Sequence, residues 1–159
     1  MFKTLALFLW IAVVCQAQLG RTEVRGDVGW TGFLDESGDH HLLVGASFRT
    51  YLTKRFSIQP AFQYLTRSSA FARDHYDLGL LANAAYDLRS PGSKVVPYLI
   101  VGVGGLWTRE SRFSYSSFYV SGGAGVKLFL SERLYVAPDF RIGLEPHARF
   151  SVGVGYVLR

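Results

Sequence analysis

Three groups of residues in this 159-residue chain could do chemistry. Glu145-Pro146-His147 sets an acid beside an imidazole, and Ser114, Ser116 and Ser117 offer hydroxyls upstream. Nucleophilic catalysis needs hydroxyl, base and acid within hydrogen-bond reach of one another, and no spacing here enforces that. His40 and His41 are adjacent, with His75 and His147 apart, and all four fall in segments that read as loops. Clustered imidazoles can bind zinc or copper or sense acid, but adjacent histidines lack a ligand spacing, so no metal site is expected. The third group is the largest: Arg25, Asp27, Arg49, Asp77, Lys127, Asp139, Arg141 and Glu145, joined by Glu23, Arg67 and Asp87. Their signs nearly balance. Charges that share a buried space must be paired to be tolerated, so these residues read as a salt-bridged network, structural or gating, with Asp139 and Arg141 at its heart and Arg25, Arg49 and Lys127 as partners.

Strands are the elements that would hold such a network. Around each of these charges, polar and apolar residues alternate with a period of two, a strand signal and not a helical one. Eight stretches carry it, at about 23–33, 42–53, 56–67, 76–88, 95–110, 118–130, 134–144 and 149–158. In the first, Val24, Gly26, Val28 and Trp30 oppose Glu23, Arg25, Asp27 and Thr31; in the eighth, Phe150, Val152, Val154, Tyr156 and Leu158 share one face. Connections at 54–55, 89–93 and 131–133 read as tight turns, and those at 34–41, 68–75 and 112–117 as longer loops; the last, 145–148, is short for its place in the series. Such alternation is the topology of an outer-membrane barrel, with turns in the periplasm and loops outside. The aromatic residues sort with it. Trp30, Tyr64, Tyr76 and Trp107, with Phe118 and Phe150, fall near one rim, and Tyr86, Tyr156 and Phe56 near the other, as two interfacial girdles require. Pro60, Pro97 and Pro138 lie inside strands, where a missing ladder donor predicts local bulges.

The leader supports the same placement. Lys3 precedes an apolar run from Leu5 to Val14, too short to span a bilayer, and Cys15-Gln16-Ala17 offers small residues for cleavage after Ala17. Residues 1–17 are therefore expected to be a signal peptide and 18–159 one barrel domain. The single Cys falls in the leader, which leaves the mature chain without a disulfide or a thiolate site. The net charge of +5 is scattered, with no stripe for nucleic acid, and the glycines at 102–105 lie in a strand pattern, not in a phosphate-binding loop.

Three stretches carry a resemblance to a known family: Pro97-Tyr98-Leu99-Ile100-Val101-Gly102-Val103-Gly104, the run Gly122 to Ser131 followed by Arg133-Leu134, and Asp139-Phe140-Arg141. Together they resemble the OmpA-like transmembrane domain and the wider outer-membrane β-barrel family. Ser151-x-Gly153-x-x-Tyr156-x-Leu158 is similar to the terminal strand signal read by barrel-assembly machinery, although the family usually ends in an aromatic residue and this chain ends Leu158-Arg159. The resemblance implies an eight-stranded antiparallel up-and-down transmembrane β-barrel in the outer membrane. Its neighbours would be membrane lipid and lipopolysaccharide, with no cofactor. Eight strands leave a bore just wide enough for side chains to fill, so a plugged polar lumen and a structural or surface-interaction role are expected. The alternatives are a small passive channel, a lipid A-modifying barrel enzyme and a soluble lipocalin-like carrier. The enzyme would use Ser, His and an acid, but the deacylase pattern His-x-Ser is absent, since Arg149 follows His147-Ala148. The carrier would place its apolar face inside.

Overall fold

The structure is a computed structural model, and it describes residues 20–33, 40–67, 75–90, 92–110, 113–144 and 147–158. The expected signal peptide lies outside the described residues. Eight strands follow in chain order: β1 Thr22–Phe33, β2 His40–Tyr51, β3 Phe56–Arg67, β4 His75–Asp87, β5 Val95–Glu110, β6 Phe113–Phe129, β7 Leu134–Gly143 and β8 His147–Val157. Each pairs antiparallel with its chain neighbours, and β8 returns to β1 to close the barrel. Closure satisfies the backbone of every strand without leaving an edge, which is what hydrocarbon demands.

The register defines the bore. Partners followed round the barrel run Thr22, Thr50, Ile58, Ala84, Val101, Gly122, Ile142, Ala148 and then Gly32. The path re-enters β1 ten residues beyond its start. With eight strands this shear tilts the strands by about 40° and sets a backbone radius of about 8 Å. Such a bore holds side chains and little else.

Alternation along each strand then separates two media. Outward positions are apolar and exposed, among them Val28, Val44, Phe62, Leu80, Val101, Phe140 and Val154. Inward positions hold nearly all the buried charge. A continuous apolar belt round a polar interior is the reverse of a water-soluble carrier barrel and matches a lipid-facing wall.

Four expectations about local structure need correction. No bulge interrupts the strands at the prolines. The β2–β3 register resumes unchanged across Pro60, and the β6–β7 register across Pro138, so each proline only omits rungs of one ladder. Pro97 stands at the end of the β4–β5 ladder, where its carbonyl accepts from the Leu88 N–H at 2.8 Å. Residues 113–117, read as loop, are strand: β6 begins at Phe113 and pairs with β5 as far as Glu110. By contrast the β4–β5 connection, expected to be tight, spans 88–94, with Gly92 at φ 97°. Because β7 reaches back only to Ser121 of β6, the β5–β6 hairpin stands above the rim on that side. The rim that carries it is called here the hairpin end, and the opposite rim, which holds the turns and both described termini, the turn end. The histidines are also not in loops. His40, His75 and His147 open β2, β4 and β8, and His41 and His147 are buried in the lumen.

Candidate functional site

The inward charges meet in two layers. At the turn end, Lys127 is fully buried. Its Nζ lies 3.3 Å from Glu23 Oε2 and 3.0 Å from Asp87 Oδ2, and it also contacts the Tyr51 hydroxyl. Tyr51 donates to Asp87 at 2.6 Å and Tyr135 donates to Glu23 at 2.9 Å. Arg49 stands 3.6 Å from Asp87 and donates twice to Gln59 Oε1, at 2.9 and 2.6 Å. One ammonium is thus wedged between two carboxylates from different strands, each further anchored by a tyrosine hydroxyl.

The middle layer centres on Asp139, 2% exposed. Four side chains donate to its two oxygens: Arg25 at 3.2 Å, Tyr98 at 3.1 Å, Ser151 at 3.0 Å and Arg141 at 3.0 and 3.3 Å. Arg25 also donates to Asp27 at 2.7 Å and to the Tyr98 hydroxyl at 2.7 Å, and Arg141 reaches Asn83 Oδ1 at 3.0 Å. Tyr98 joins the layers, since the Arg49 guanidinium lies over its ring at 5.0 Å from the centroid. Charge-assisted bonds of this kind are among the strongest available, and only Arg49 Nη1 and Asp87 Oδ1 in these two layers, 3.6 Å apart, are buried without a hydrogen bond.

Of the expected network, the structure joins Arg25, Asp27, Arg49, Lys127, Asp139 and Arg141 in these two layers. Asp77 lies higher, lining a cavity of about 60 Å³ at the hairpin end. Glu145 lies outside the described residues, as does Pro146. Tyr51, Tyr98 and Tyr135 were legible as strand residues but carried no signal of their role as anchors. Arg149 was missed as a lumen cation, although counting back by twos from Ser151 would have placed it inward. Among the aromatic residues, Trp30, Tyr64, Trp107, Tyr86 and Tyr156 are exposed on the outer face, and Tyr76 stacks on Tyr64 with centroids 5.9 Å apart. Of the proposed loop hydroxyls, Ser114 and Ser116 are exposed in β6, whereas Ser117 lines the cavity with His147. His147 packs against the Tyr119 ring at 4.9 Å.

The family model for the outer membrane protein beta-barrel domain matches residues 4–157. The chain belongs to this family. Solved structures of outer-membrane barrels share its fold. The N-terminal barrel of OprF from Pseudomonas aeruginosa aligns with a TM-score of 0.63 at 19% identity, covering 88% of this chain and 98% of that one. OprG from the same organism aligns with a TM-score of 0.65 at 13% identity over 89% and 97%, and Neisserial surface protein A with 0.65 at 13% over 86% and 95%. No curated protein matches the chain. As an outer-membrane barrel, the protein places its apolar belt against lipid and its ten buried charges, five of each sign among the described residues, inside.

Glycine makes the tight filling of this barrel possible. A Cβ on Gly125 would sit 2.5 Å from the Tyr98 ring and 2.7 Å from Asp139 Cβ, and one on Gly153 would collide with Arg25 and Asp27. Gly153→Ala is therefore expected to push Arg25 off Asp27 and lower stability by about 1–3 kcal/mol, the usual cost of overpacking. Denaturant unfolding of the refolded barrel measures this, and an unchanged midpoint would contradict the packing described.

Proposed function

We propose that this outer-membrane barrel is a closed, non-catalytic wall element with a structural or surface-interaction role. It is exported by its leader and assembled through its C-terminal strand, and its outer surface is in contact with membrane lipid and lipopolysaccharide. The observation that carries this reading is the pair of ion-paired layers spanning the bore, with Lys127 and Asp139 buried across it and tyrosines closing the space between. For a solute to pass, several buried ion pairs would have to part together, and separating one already costs kilocalories. The turn end would face the periplasm and the β5–β6 hairpin the exterior, which puts Phe118, 73% exposed, and the exposed Tyr115 where a partner could reach them. A catalytic reading finds less support, because two of the three candidate hydroxyls, Ser114 and Ser116, lie on the opposite strand face from the buried His147 and only Ser117 shares a cavity with it.

Planar-bilayer recording tests the closed lumen. The purified barrel is expected to insert without stepwise ohmic conductance at moderate voltage in molar salt. A steady open level in the same preparation would instead establish the small-channel alternative.

A further inference from the structure

The net positive charge is not spread evenly over the barrel. The segments that join β1 to β2, β3 to β4, β5 to β6 and β7 to β8 hold Asp35, Glu36, Asp39, Asp74 and Glu145 against Arg73 and Arg112. The turn end is the reverse. Lys54, Arg55, Arg89, Lys94 and Arg133 are exposed there, and Glu132 is the one exposed acid of that rim among the described residues. Three of these cations gather on one side. Lys54 and Arg55 lie in the β2–β3 turn, and Arg89 follows β4 in the neighbouring connection. The Arg55 carbonyl accepts from the Asp87 N–H at 2.8 Å, and Arg55 Nη2 donates to the Ser90 hydroxyl at 3.2 Å. The two connections are thus held together, and Arg55 reaches the residue next to Arg89. Of the ion pairs formed by the described residues, none involves Lys54, Arg55 or Arg89. Glu132 lies in the β6–β7 turn, where it lines a cavity with Lys94 and Arg21.

The patch begins where the apolar belt ends. Phe56 pairs with Tyr86 and Tyr86 with Leu99, so one row of exposed side chains crosses β3, β4 and β5. Arg55 directly precedes Phe56, and the exposed Leu88 lies between Tyr86 and Arg89 in the chain. Lipid chains that cover this row end in headgroups at the level of the three cations. Guanidinium donors match phosphate oxygens, and long cationic side chains beside an aromatic girdle reach the headgroup layer. The patch brings three positive charges and no negative one, so it favours a phosphodiester that carries no cation of its own. A zwitterionic headgroup would add its ammonium to the cluster.

We propose that Lys54, Arg55 and Arg89 form a headgroup site for an anionic phospholipid of the phosphatidylglycerol type, in the leaflet at the turn end. The phosphate meets the guanidinium groups of Arg55 and Arg89, and the acyl chains run along Phe56, Tyr86 and Leu88. The Ser90 hydroxyl accepts from Arg55 and keeps its own proton to donate to the phosphate. An acidic soluble partner fits less well, because the patch is continuous with the lipid-facing wall. The inference rests on the lipid contact of the function proposed above and names the lipid that the turn end selects. It does not depend on whether the lumen conducts.

The test is electron spin resonance of the refolded barrel in phosphatidylcholine vesicles that carry a trace of spin-labelled phosphatidylglycerol or spin-labelled phosphatidylcholine. Lipid held at the protein wall gives a motionally restricted component. At low salt the wild type is expected to hold the phosphatidylglycerol label about twofold or more over the phosphatidylcholine label, a preference that fades at high salt. Arg55→Gln combined with Arg89→Gln is expected to bring the two labels close to parity. Arg109→Gln removes an exposed cation from the hairpin end and controls for general charge. It should cost less of the preference than Arg89→Gln alone. Equal restriction of the two labels by the wild type overturns the site, and is the result that an acidic soluble partner would give. So does a loss in Arg109→Gln as large as that in Arg89→Gln, a comparison that decides alone if the double variant does not fold. No restricted component with either label would contradict the lipid-facing belt itself, and the site with it, so the two failures are told apart.

Discussion

Asp139→Ala is expected to lower the unfolding free energy of the barrel by about 3–5 kcal/mol, the cost of removing one partner from a buried charge network. The carboxylate accepts from Arg25, Tyr98, Arg141 and Ser151. Arg25 keeps Asp27 when it is gone, but Arg141 keeps only the neutral Asn83. Most of the loss therefore falls on Arg141, and it also meets Arg149 across the ladder. Adding Arg141→Met removes the stranded cation, so the double variant is expected to recover about 1–3 kcal/mol relative to the sum of the single changes. Urea unfolding in lipid–detergent micelles measures both, followed by the fluorescence of lipid-facing Trp30 and Trp107. Strictly additive losses would contradict the coupling drawn here between Asp139 and Arg141.

Val101→Arg tests the other face. Val101 is 59% exposed on the outer surface of β5, flanked across the ladders by Ala84 and Gly122. Along the strand it lies between Leu99, which pairs with Tyr86 of one aromatic group, and Trp107 of the other. In water this exchange would be nearly neutral. In a bilayer, a charge at mid-depth on a barrel wall costs about 2–4 kcal/mol, and near the interface about 0–1 kcal/mol. Refolding into phosphatidylcholine vesicles is therefore expected to lose this much folding free energy for Val101→Arg. Ser116→Arg, on the exposed hairpin above the rim, is expected to show almost none. Equal effects from the two substitutions would mean that the outer face of β5 is not lipid-facing at Val101.

The division into faces was legible because the two media differ so sharply. Every strand has lipid on one side and a packed polar lumen on the other, so Val101 and Gly102 could be told apart by position alone. Pairing across the bore was not legible. Which of Arg25, Arg49 or Lys127 meets Asp139 depends on the ten-residue shear of the closed barrel, and no local pattern encodes that. Closure put Arg25 beside Asp139 and sent Arg49 and Lys127 to Glu23 and Asp87 one layer away. Strand ends misled for a related reason. Arg112 to Ser117 is a polar, serine-rich run with the composition of a loop, yet from Phe113 onward it is strand, because β5 offers a paired backbone alongside. The prolines predicted bulges since a donor is missing, but Pro60 and Pro138 only leave rungs empty without changing the register. Histidines suggested loops by polarity. His41 and His147 are instead lumen residues whose neighbours come from distant strands.

The most direct measurement is a semi-native gel of the outer-membrane fraction, run with and without boiling. A closed barrel seated in that membrane should appear in this fraction and migrate differently before and after heating, because detergent alone does not open a closed sheet. Recovery in the soluble periplasmic fraction with no change on boiling would contradict the membrane barrel, and with it the lipid-facing belt and the buried network described above.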